Sequence, residues 1–170
     1  VGNNFKKDLA KFIKNKYDPK RIFLISDSKV FSSETINLIN ELENSNIKCE
    51  SLSIDINETK KNLDTCTYIY DWLLSAGSER NSILISIGGG VTTDLVGFVA
   101  SSWLRGLNVI HFPTSLAAMV DASIGGKTGV NFKHGKNLIG AFKQPLLIAM
   151  DTKSLETLKE RELNSGWAEA

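Results

Sequence analysis

Two glycine-rich stretches of the sequence have the residue types and spacing of ligand-binding loops. The first, Gly88-Gly89-Gly90, follows the apolar run Ser82 to Ile87 and precedes a helical pattern that begins at Val91. Glycine lets the backbone approach a ligand closely, and a helix N-terminus offers free N–H groups and a positive dipole end. The pattern predicts a phosphate or pyrophosphate site, with a ligand-free tight turn as the alternative. Asp94 falls in the first helical turn, where it would complement the dipole or bind a ligand hydroxyl.

The second stretch concentrates polar and basic residues among glycines. Its polar members are Asp121, Lys127, Asn131, Lys133, His134, Lys136 and Asn137, and its glycines are Gly125, Gly126, Gly129, Gly135 and Gly140. Apolar segments at 116–120 and 138–139 flank the polar residues, so we predict a long loop fixed at both ends, a type that is usually functional. Converging lysines would suit a phosphorylated or carboxylated substrate, whereas a solvated surface loop is the alternative.

Neither stretch matches a common nucleotide-binding motif. Thr93 stands where G-x-G-x-x-G needs its third glycine, and Asp121 takes the first glycine position of the P-loop pattern that Gly126-Lys127-Thr128 would complete. An acidic side chain repels phosphate, so we reject the P-loop. His111 and His134 have no neighbouring Asp or Cys, which excludes a triad or zinc spacing. We expect His111 in the core and His134 on the surface.

Short apolar runs alternate with helical patterns along the chain. The runs that predict strands are Ile22 to Ile25, Lys48 to Ile54, Ser82 to Ile87, Asn108 to Phe112 and Leu146 to Met150. The helical patterns are Ser33 to Glu43, Glu58 to Ala76 and Val91 to Leu104. This alternation predicts an α/β fold, with a mostly parallel sheet and helices on both faces. Ligands bind outside the carboxyl ends of such strands, so Ser26-Asp27 and Thr114-Ser115 are expected near the glycine turn.

Composition limits the class of protein. The 170 residues are 42% hydrophobic with a net charge of +1, which fits one domain with its own core and no bulk attraction to nucleic acid or membranes. No apolar run approaches the ~18 residues of a membrane span. Cys49 and Cys66 form no CxxC, which predicts free thiols in a reducing, cytoplasmic compartment. The missing initiator Met, and a helical pattern cut at Ala170, predict a fragment at both ends.

Three segments resemble the 3-dehydroquinate synthase family. They are GGGVTTDLVGFVAS at 88–101, FPTSLAAMVDASIGGKTGVNFKHGKNLIGAF at 112–142 and TLKERELNSGWAE at 157–169. NETKKNLDT at 57–65 is similar to the family's G-E-x-x-K-x-L-x-T, with Asn57 in place of Gly. The resemblance implies a Rossmann-like NAD-binding domain over 1–150, followed at 151–170 by the start of a helical metal- and substrate-binding domain. It implies a lyase that converts 3-deoxy-D-arabino-heptulosonate 7-phosphate to 3-dehydroquinate with phosphate release, within aromatic amino acid biosynthesis.

The resemblance also implies roles for individual residues. Cofactor-binding positions would be Asp27, Glu58, Lys61, Gly89, Gly90, Val91, Thr92, Thr93, Asp94, Thr114, Ser115, Lys127, Lys136, Ser154 and Thr157. Substrate and catalytic positions would be Asp121, Lys127, Asn137 and Arg105, the last reaching the neighbouring subunit of a homodimer. Glu169 would be one of three ligands of a divalent metal, zinc or cobalt, and the two histidine ligands would lie in the missing domain. Lys29 stands where the family often has Asn, which alters one cofactor contact.

Three other functions remain open. Sugar-phosphate cyclases of antibiotic pathways carry a similar loop but usually lack the paired glycines before the lysine. Metal-dependent glycerol dehydrogenases share the glycine loop but not GKTGVN, and a non-catalytic nucleotide-binding module is the third alternative. Gly125-Gly126-Lys127-Thr128 therefore favours the synthase.

Overall fold

The central element is a parallel five-stranded sheet. The computed structural model describes residues 1–3, 5–31 and 33–170. The sheet strands are β1 (Arg21–Asp27), β2 (Lys48–Ile54), β3 (Ile83–Gly88), β4 (Asn108–Pro113) and β7 (Leu147–Ile148). Their spatial order is β2-β1-β3-β4-β7, with every neighbouring pair parallel. The predicted parallel sheet is confirmed, and its last strand is shorter than the predicted run from Leu146 to Met150.

Helices cover both faces of this sheet, as predicted. They are α1 (Lys6–Tyr17), α2 (Ser33–Asn44), α3 (Leu63–Ser75) and α4 (Gly90–Ser102), while α5 (Glu160–Glu169) packs beside residues 116–122. Residues of α1 and α2 form one core with Leu24 and Ile85, and residues of α3 and α4 form the other with Phe23 and Ile25. The middle strands are apolar along their length because helices bury both of their faces. Among the described residues, no helix has both the length and the apolar character that a membrane crossing requires.

The predicted long loop is instead a compact piece of secondary structure. A π-helical turn (Ala118–Ala122) leads into an antiparallel hairpin of β5 (Lys127–Phe132) and β6 (Gly135–Phe142). The hairpin packs on α4 at Gly97, where a Cβ would lie 2.5 Å from Thr128 Cγ2. The prediction was wrong because glycines at close contacts between segments look like loop glycines in the sequence.

The predicted helix from Glu58 to Ala76 is broken at its start. A short 3₁₀ turn (Glu58–Lys60) precedes α3, and an asparagine caps each element. Asn57 Oδ1 accepts from the N–H groups of Thr59 and Lys60, and Asn62 Oδ1 accepts from Thr65 N–H. These caps stop one helix from running through the segment. Lys61, between the two elements, is buried.

Both cysteines are free thiols, as expected. Cys66 is buried and Cys49 is half-buried, and burial raises the pKa of each thiol to about 12. A thiol that stays protonated is a poor nucleophile and a poor metal ligand. Neither cysteine therefore contributes chemistry to this fold.

Candidate active site

The glycine turn joins β3 to α4 at the carboxyl edge of the sheet. Gly89 is the N-cap of α4, and Gly88 O accepts from Thr114 N–H at 2.9 Å. The first N–H groups of a helix have no intrahelical partner and are available to an anion. A Cβ on Gly90 would lie 3.1 Å from Ala122 Cβ, whereas a Cβ on Gly89 would make only ordinary contact, at 3.4 Å from Ser115 Oγ. Packing therefore accounts for glycine at 90, and Gly89 is the position left for close approach of a ligand.

The ends of the neighbouring strands lie beside this turn. Gly88 pairs with Pro113, so Thr114 and Ser115 adjoin the glycines, as the sequence predicts. Asp27 lies two strands away from β4, at the end of β1. Its Oδ1 accepts from Lys29 N–H at 3.0 Å, while Lys29 Nζ lies 3.2 Å from Asp55 Oδ1.

A buried lysine connects the first turn of α4 to the hairpin. Lys61 Nζ lies 2.5 Å from Asp94 Oδ2 and donates to Asn137 Oδ1 at 2.6 Å. The Lys61 side chain is 4% exposed and that of Asp94 is 21% exposed. Burial raises the pKa of the Asp94 carboxyl, and the Lys61 ammonium opposes that rise. Three predicted site residues from separate segments therefore meet at one point, which we call the Lys61 junction (Lys61, Asp94 and Asn137).

Glu58 lies next to this junction and faces the hairpin. Its Oε1 accepts from Asn131 Nδ2 at 3.0 Å, and Lys136 Nζ lies 3.6 Å away. The hydrogen bond from Asn131 lowers the pKa of the Glu58 carboxyl, with smaller contributions from Lys136 and Lys61 working against its burial. Lys136 is largely exposed, so its ion pair contributes little to stability.

A cavity of about 490 Å³ opens between α4, the π-helical turn and the hairpin. Four predicted site residues line it: Asp94, Asp121, Lys127 and Asn137. Ile124 and Phe142 provide apolar wall. The cavity therefore has two carboxylates, one ammonium and one amide beside an apolar wall, which suits a small polyhydroxylated ligand whose anionic group would meet Lys127.

The paired glycines direct the chain into β5. Gly125 and Gly126 have φ values of 82° and 71°, in the left-handed region that side chains disfavour. A Cβ on Gly126 would also lie 3.0 Å from the backbone of Lys143 and of Gln144. Glycines at 125 and 126 are therefore required for the turn that presents Lys127 to the cavity.

Several predicted site residues lie away from the cavity. Ser154 Oγ donates to the oxygen of Asp151, the N-cap of the 3₁₀ helix Thr152–Thr157, and Thr157 Oγ1 donates to Ser154 O. The side chains of Thr92 and Thr93 are buried, and their N–H groups donate to Gly89 O at 3.0 and 3.1 Å, so their predicted role as cofactor contacts is not supported. Arg105 is exposed in a left-handed bend after α4, with φ 71°. Glu169 is exposed at the end of α5, and the described ranges hold no group of three His, Cys, Asp or Glu side chains that could bind a metal ion.

The two histidines lie where the sequence predicts. His111 is buried in β4, with Nδ1 2.7 Å from Ser86 Oγ, and burial lowers its pKa to about 4. It is therefore a neutral core residue. His134 is exposed in the hairpin turn.

Asn131 was predicted only as a polar member of the second glycine-rich stretch, with no role of its own, and the structure places it behind the site residues. It bonds Glu58, Lys61 and Asn137 at once. Its only signal in the sequence is its place in the GKTGVN segment.

The fold and the site define a Rossmann-like α/β domain with a candidate ligand site at the carboxyl ends of its strands. The family model for the 3-dehydroquinate synthase N-terminal domain matches residues 51–165. A 3-dehydroquinate synthase from Crocosphaera subtropica is 50% identical over 150 residues, which are 88% of this chain and 41% of that protein. The chain belongs to the 3-dehydroquinate synthase family and spans less than half the length of that relative.

Solved structures with the same fold come from sugar-phosphate cyclases. A 2-deoxy-scyllo-inosose synthase complexed with carbaglucose-6-phosphate, NAD+ and Co2+ has a TM-score of 0.90 at 26% identity, over 98% of this chain and 45% of its own. A 2-epi-5-epi-valiolone synthase from Streptomyces hygroscopicus with bound NAD+ and Zn2+ has a TM-score of 0.85 at 30% identity, over 99% of this chain and 46% of its own. These likenesses support NAD and a divalent metal as the cofactors of this family.

Proposed function

We propose that the protein containing these residues is a 3-dehydroquinate synthase. It converts 3-deoxy-D-arabino-heptulosonate 7-phosphate to 3-dehydroquinate and releases phosphate, using NAD. The observation that carries the proposal is the Lys61 junction, which joins the helix after the glycine turn to the hairpin that presents Lys127. One arrangement thereby connects a dinucleotide-type turn to a cavity for a small anion.

The residues present fit the cofactor. Gly89 has no packing neighbour closer than 3.4 Å to its missing Cβ, so the helix N-terminus can be approached by a pyrophosphate. We assign the backbone from Gly89 to Val91 to the pyrophosphate, since the N–H groups of Thr92 and Thr93 donate to Gly89 O. We assign Asp27, Glu58 and Lys61 to the adenosine and ribose hydroxyls. Bound there, NAD would supply reversible oxidation of a substrate alcohol: hydride would leave the carbon that bears the hydroxyl while the hydroxyl loses its proton, and the resulting carbonyl would acidify the neighbouring C–H bond so that phosphate could be eliminated. We also assign Thr114, Ser115, Lys136, Ser154 and Thr157 to the cofactor side.

The cavity residues would hold the substrate. Lys127 is exposed at the cavity and suits the carboxylate or phosphate of the substrate. Asp121 can accept hydrogen bonds from substrate hydroxyls. Asn137 Oδ1 is engaged by Lys61, which leaves its Nδ2 to donate to substrate oxygen. This arrangement would fix the sugar chain against the end of α4.

The residues present do not make up a metal site. We propose Glu169 as one ligand by family resemblance, and the described residues hold no group of three His, Cys, Asp or Glu side chains that would complete a site around it.

Three further assignments follow from the same family. We propose that residues 1–150 are the NAD-binding domain and that 151–170 begin the connection to a helical domain. We propose a homodimer in which Arg105 reaches the substrate phosphate of the neighbouring subunit. Two free thiols support a reducing, cytoplasmic location.

A sugar-phosphate cyclase is the second candidate, supported by the structural likenesses above. The glycine pair at 125–126 favours the synthase, because the backbone at both residues is left-handed. The two functions differ in whether the substrate carries a carboxylate.

The experiment compares phosphate release from two seven-carbon keto-sugar phosphates, with and without a carboxylate, by the natural protein supplied with NAD and zinc. Release from the carboxylated substrate alone supports the synthase. Release only from the uncarboxylated substrate supports the cyclase, and NAD binding without release from either leaves a nucleotide-binding module.

A further inference from the structure

Asn131 uses its backbone and side chain to hold two separate segments. Its N–H donates to Lys61 O at 2.7 Å, and its Nδ2 donates to Glu58 O at 3.1 Å and to Glu58 Oε1 at 3.0 Å. Its Oδ1 accepts from Asn137 N–H at 2.9 Å. Glu58 lies 73 positions before Asn131 and Asn137 lies six after it, so these hydrogen bonds connect the 58–61 segment to the hairpin.

An irregularity in the hairpin makes these bonds possible. The ladder is regular from Lys127–Phe142 to Val130–Ile139 and resumes at Phe132–Gly135, so residues 136–138 face the single residue Asn131. A bulge leaves local groups without ladder partners and redirects side chains. Here the Asn131 amide turns to Lys61, and its side-chain oxygen takes the amide of the bulged Asn137.

The bulge also sets the direction of Asn137. Asn137 has φ 53°, a conformation that asparagine tolerates better than most residues. With its N–H held by Asn131, its Oδ1 accepts from Lys61 Nζ at 2.6 Å. Lys61 is thus held at its carbonyl by Asn131 and at its ammonium by Asn137 and Asp94.

We propose that Asn131 is a positioning residue that fixes Glu58, Lys61 and Asn137 relative to one another and so couples the cofactor side of the site to the substrate side. It lies behind these residues and does not line the cavity. The proposal rests on the proposed function, because the roles of Glu58 and Asn137 come from it.

Replacement of Asn131 by aspartate isolates this role. Asn131→Asp keeps the shape, the backbone N–H and the oxygen that accepts from Asn137, but it loses both hydrogen bonds to Glu58. It also places a second carboxylate beside Glu58, which raises the pKa of the Glu58 carboxyl. The other charged groups facing Glu58 are Lys136 from β6, Lys61 from its own segment and Asp94 from α4.

Asn62→Asp is the matched control. Asn62 adjoins the same segment, and aspartate caps a helix as well as asparagine does. The control therefore adds the same charge close by and removes none of the side-chain hydrogen bonds of Glu58, Lys61 or Asn137; the one hydrogen bond that it gives up runs from Asn62 Nδ2 to Thr59 O.

The experiment measures NAD+ affinity by calorimetry between pH 5 and pH 8, using the natural protein and both variants. We expect Asn131→Asp to weaken binding at least tenfold at neutral pH. On acidification, the NAD+ affinity of Asn131→Asp should begin to fall at a higher pH than that of the wild type. The reason is that Glu58 must be ionised to accept hydrogen bonds from ribose hydroxyls. Asn62→Asp should match the wild type in both respects.

Each outcome decides the proposal. Unchanged affinity and an unchanged pH profile in a folded Asn131→Asp protein overturn the positioning role and leave the proposed function standing. No NAD+ binding by the wild type overturns the proposed function and the positioning role together. If Asn131→Asp does not fold, Asn131→Ser is measured, and the same loss of affinity in a folded protein supports the role. If neither variant folds, Asn131 is a folding residue and the proposal is wrong.

Discussion

Removal of the Lys61 ammonium is the most informative perturbation of the fold. Lys61→Met keeps the length of the side chain but leaves Asp94, which is 21% exposed, without its partner, and leaves Asn137 Oδ1 without its donor. Removing one partner of a buried ion pair costs roughly 3–5 kcal/mol. Because Asp94 keeps some contact with solvent, we expect about 3 kcal/mol. That loss corresponds to a drop in Tm of about 6–12 °C for a chain of this size.

Lys60→Met is the matched control. Lys60 is the neighbouring residue and pairs with Asp55 at 3.2 Å, but both side chains are about half exposed. An exposed pair contributes roughly 0–1 kcal/mol. The two variants make the same chemical change, and they differ in the burial of the ion pair and in the hydrogen bond that Lys61 also donates to Asn137.

The assay is urea unfolding of the chain followed by circular dichroism at pH 7 and at mildly acidic pH. Burial raises the pKa of the Asp94 carboxyl, so on acidification the folded state takes up this proton at a higher pH than the unfolded state does. The stability contributed by the protonated Asp94 carboxyl is fully present below the pKa of the unfolded state and is lost as the pH rises through the pKa of the folded state. The deficit of Lys61→Met should therefore shrink as the solution is acidified, since Asp94 takes up a proton. A loss no larger than that of Lys60→Met, or a deficit independent of pH, would refute this reasoning.

Three further outcomes are expected. Gly89→Val should weaken NAD binding at least tenfold, about 1.4 kcal/mol, in calorimetry on folded protein, and unchanged affinity would contradict the pyrophosphate assignment. Gly90→Val is the poorer test because it also disturbs packing against Ala122. Lys127→Met should lower turnover of the natural protein by about two orders of magnitude with unchanged circular dichroism, whereas Lys133→Met, in the hairpin turn outside the cavity, should leave turnover unchanged. Retained turnover in Lys127→Met would show that Lys127 is only a solvated charge. The 170-residue chain, dialysed against zinc, should hold no tightly bound stoichiometric metal and release no phosphate, because Glu169 belongs to no group of three potential ligands among the described residues. One tight zinc per chain would contradict the ligand assignment.

Local patterns were sufficient to predict the sheet and its ligand-binding edge. β1 and β3 are short and apolar, and such a pattern favours a buried strand whatever the distant contacts of the residues are. The glycine turn was predicted for a similar reason, because it depends on the residues that adjoin it. The sequence did not predict α1, whose buried side chains are only Lys6, Leu9, Ala10 and Ile13 among many lysines.

The hairpin and the centre of the site depend on contacts between distant residues. Gly129 and Gly140 pair across β5 and β6, and no local pattern separates such glycines from loop glycines. Lys61 and Asp94 are 33 positions apart, and Asn131 and Glu58 are 73 apart. These pairings arise when the hairpin packs on α4, so local periodicity carries no signal for them. Family resemblance identified Lys61, Asp94 and Asn137 as site residues but not the bonds among them.

In the proposed reaction, NAD serves as a transient oxidant for phosphate elimination. The most direct measurement follows phosphate release and the absorbance of reduced nicotinamide together, during turnover of 3-deoxy-D-arabino-heptulosonate 7-phosphate by the natural protein stripped of NAD and then resupplied with it. We expect phosphate release to depend on added NAD and to reach one phosphate per substrate, with no net accumulation of NADH. Accumulation of one NADH per substrate without phosphate release would define a dehydrogenase instead and rule out the proposed reaction.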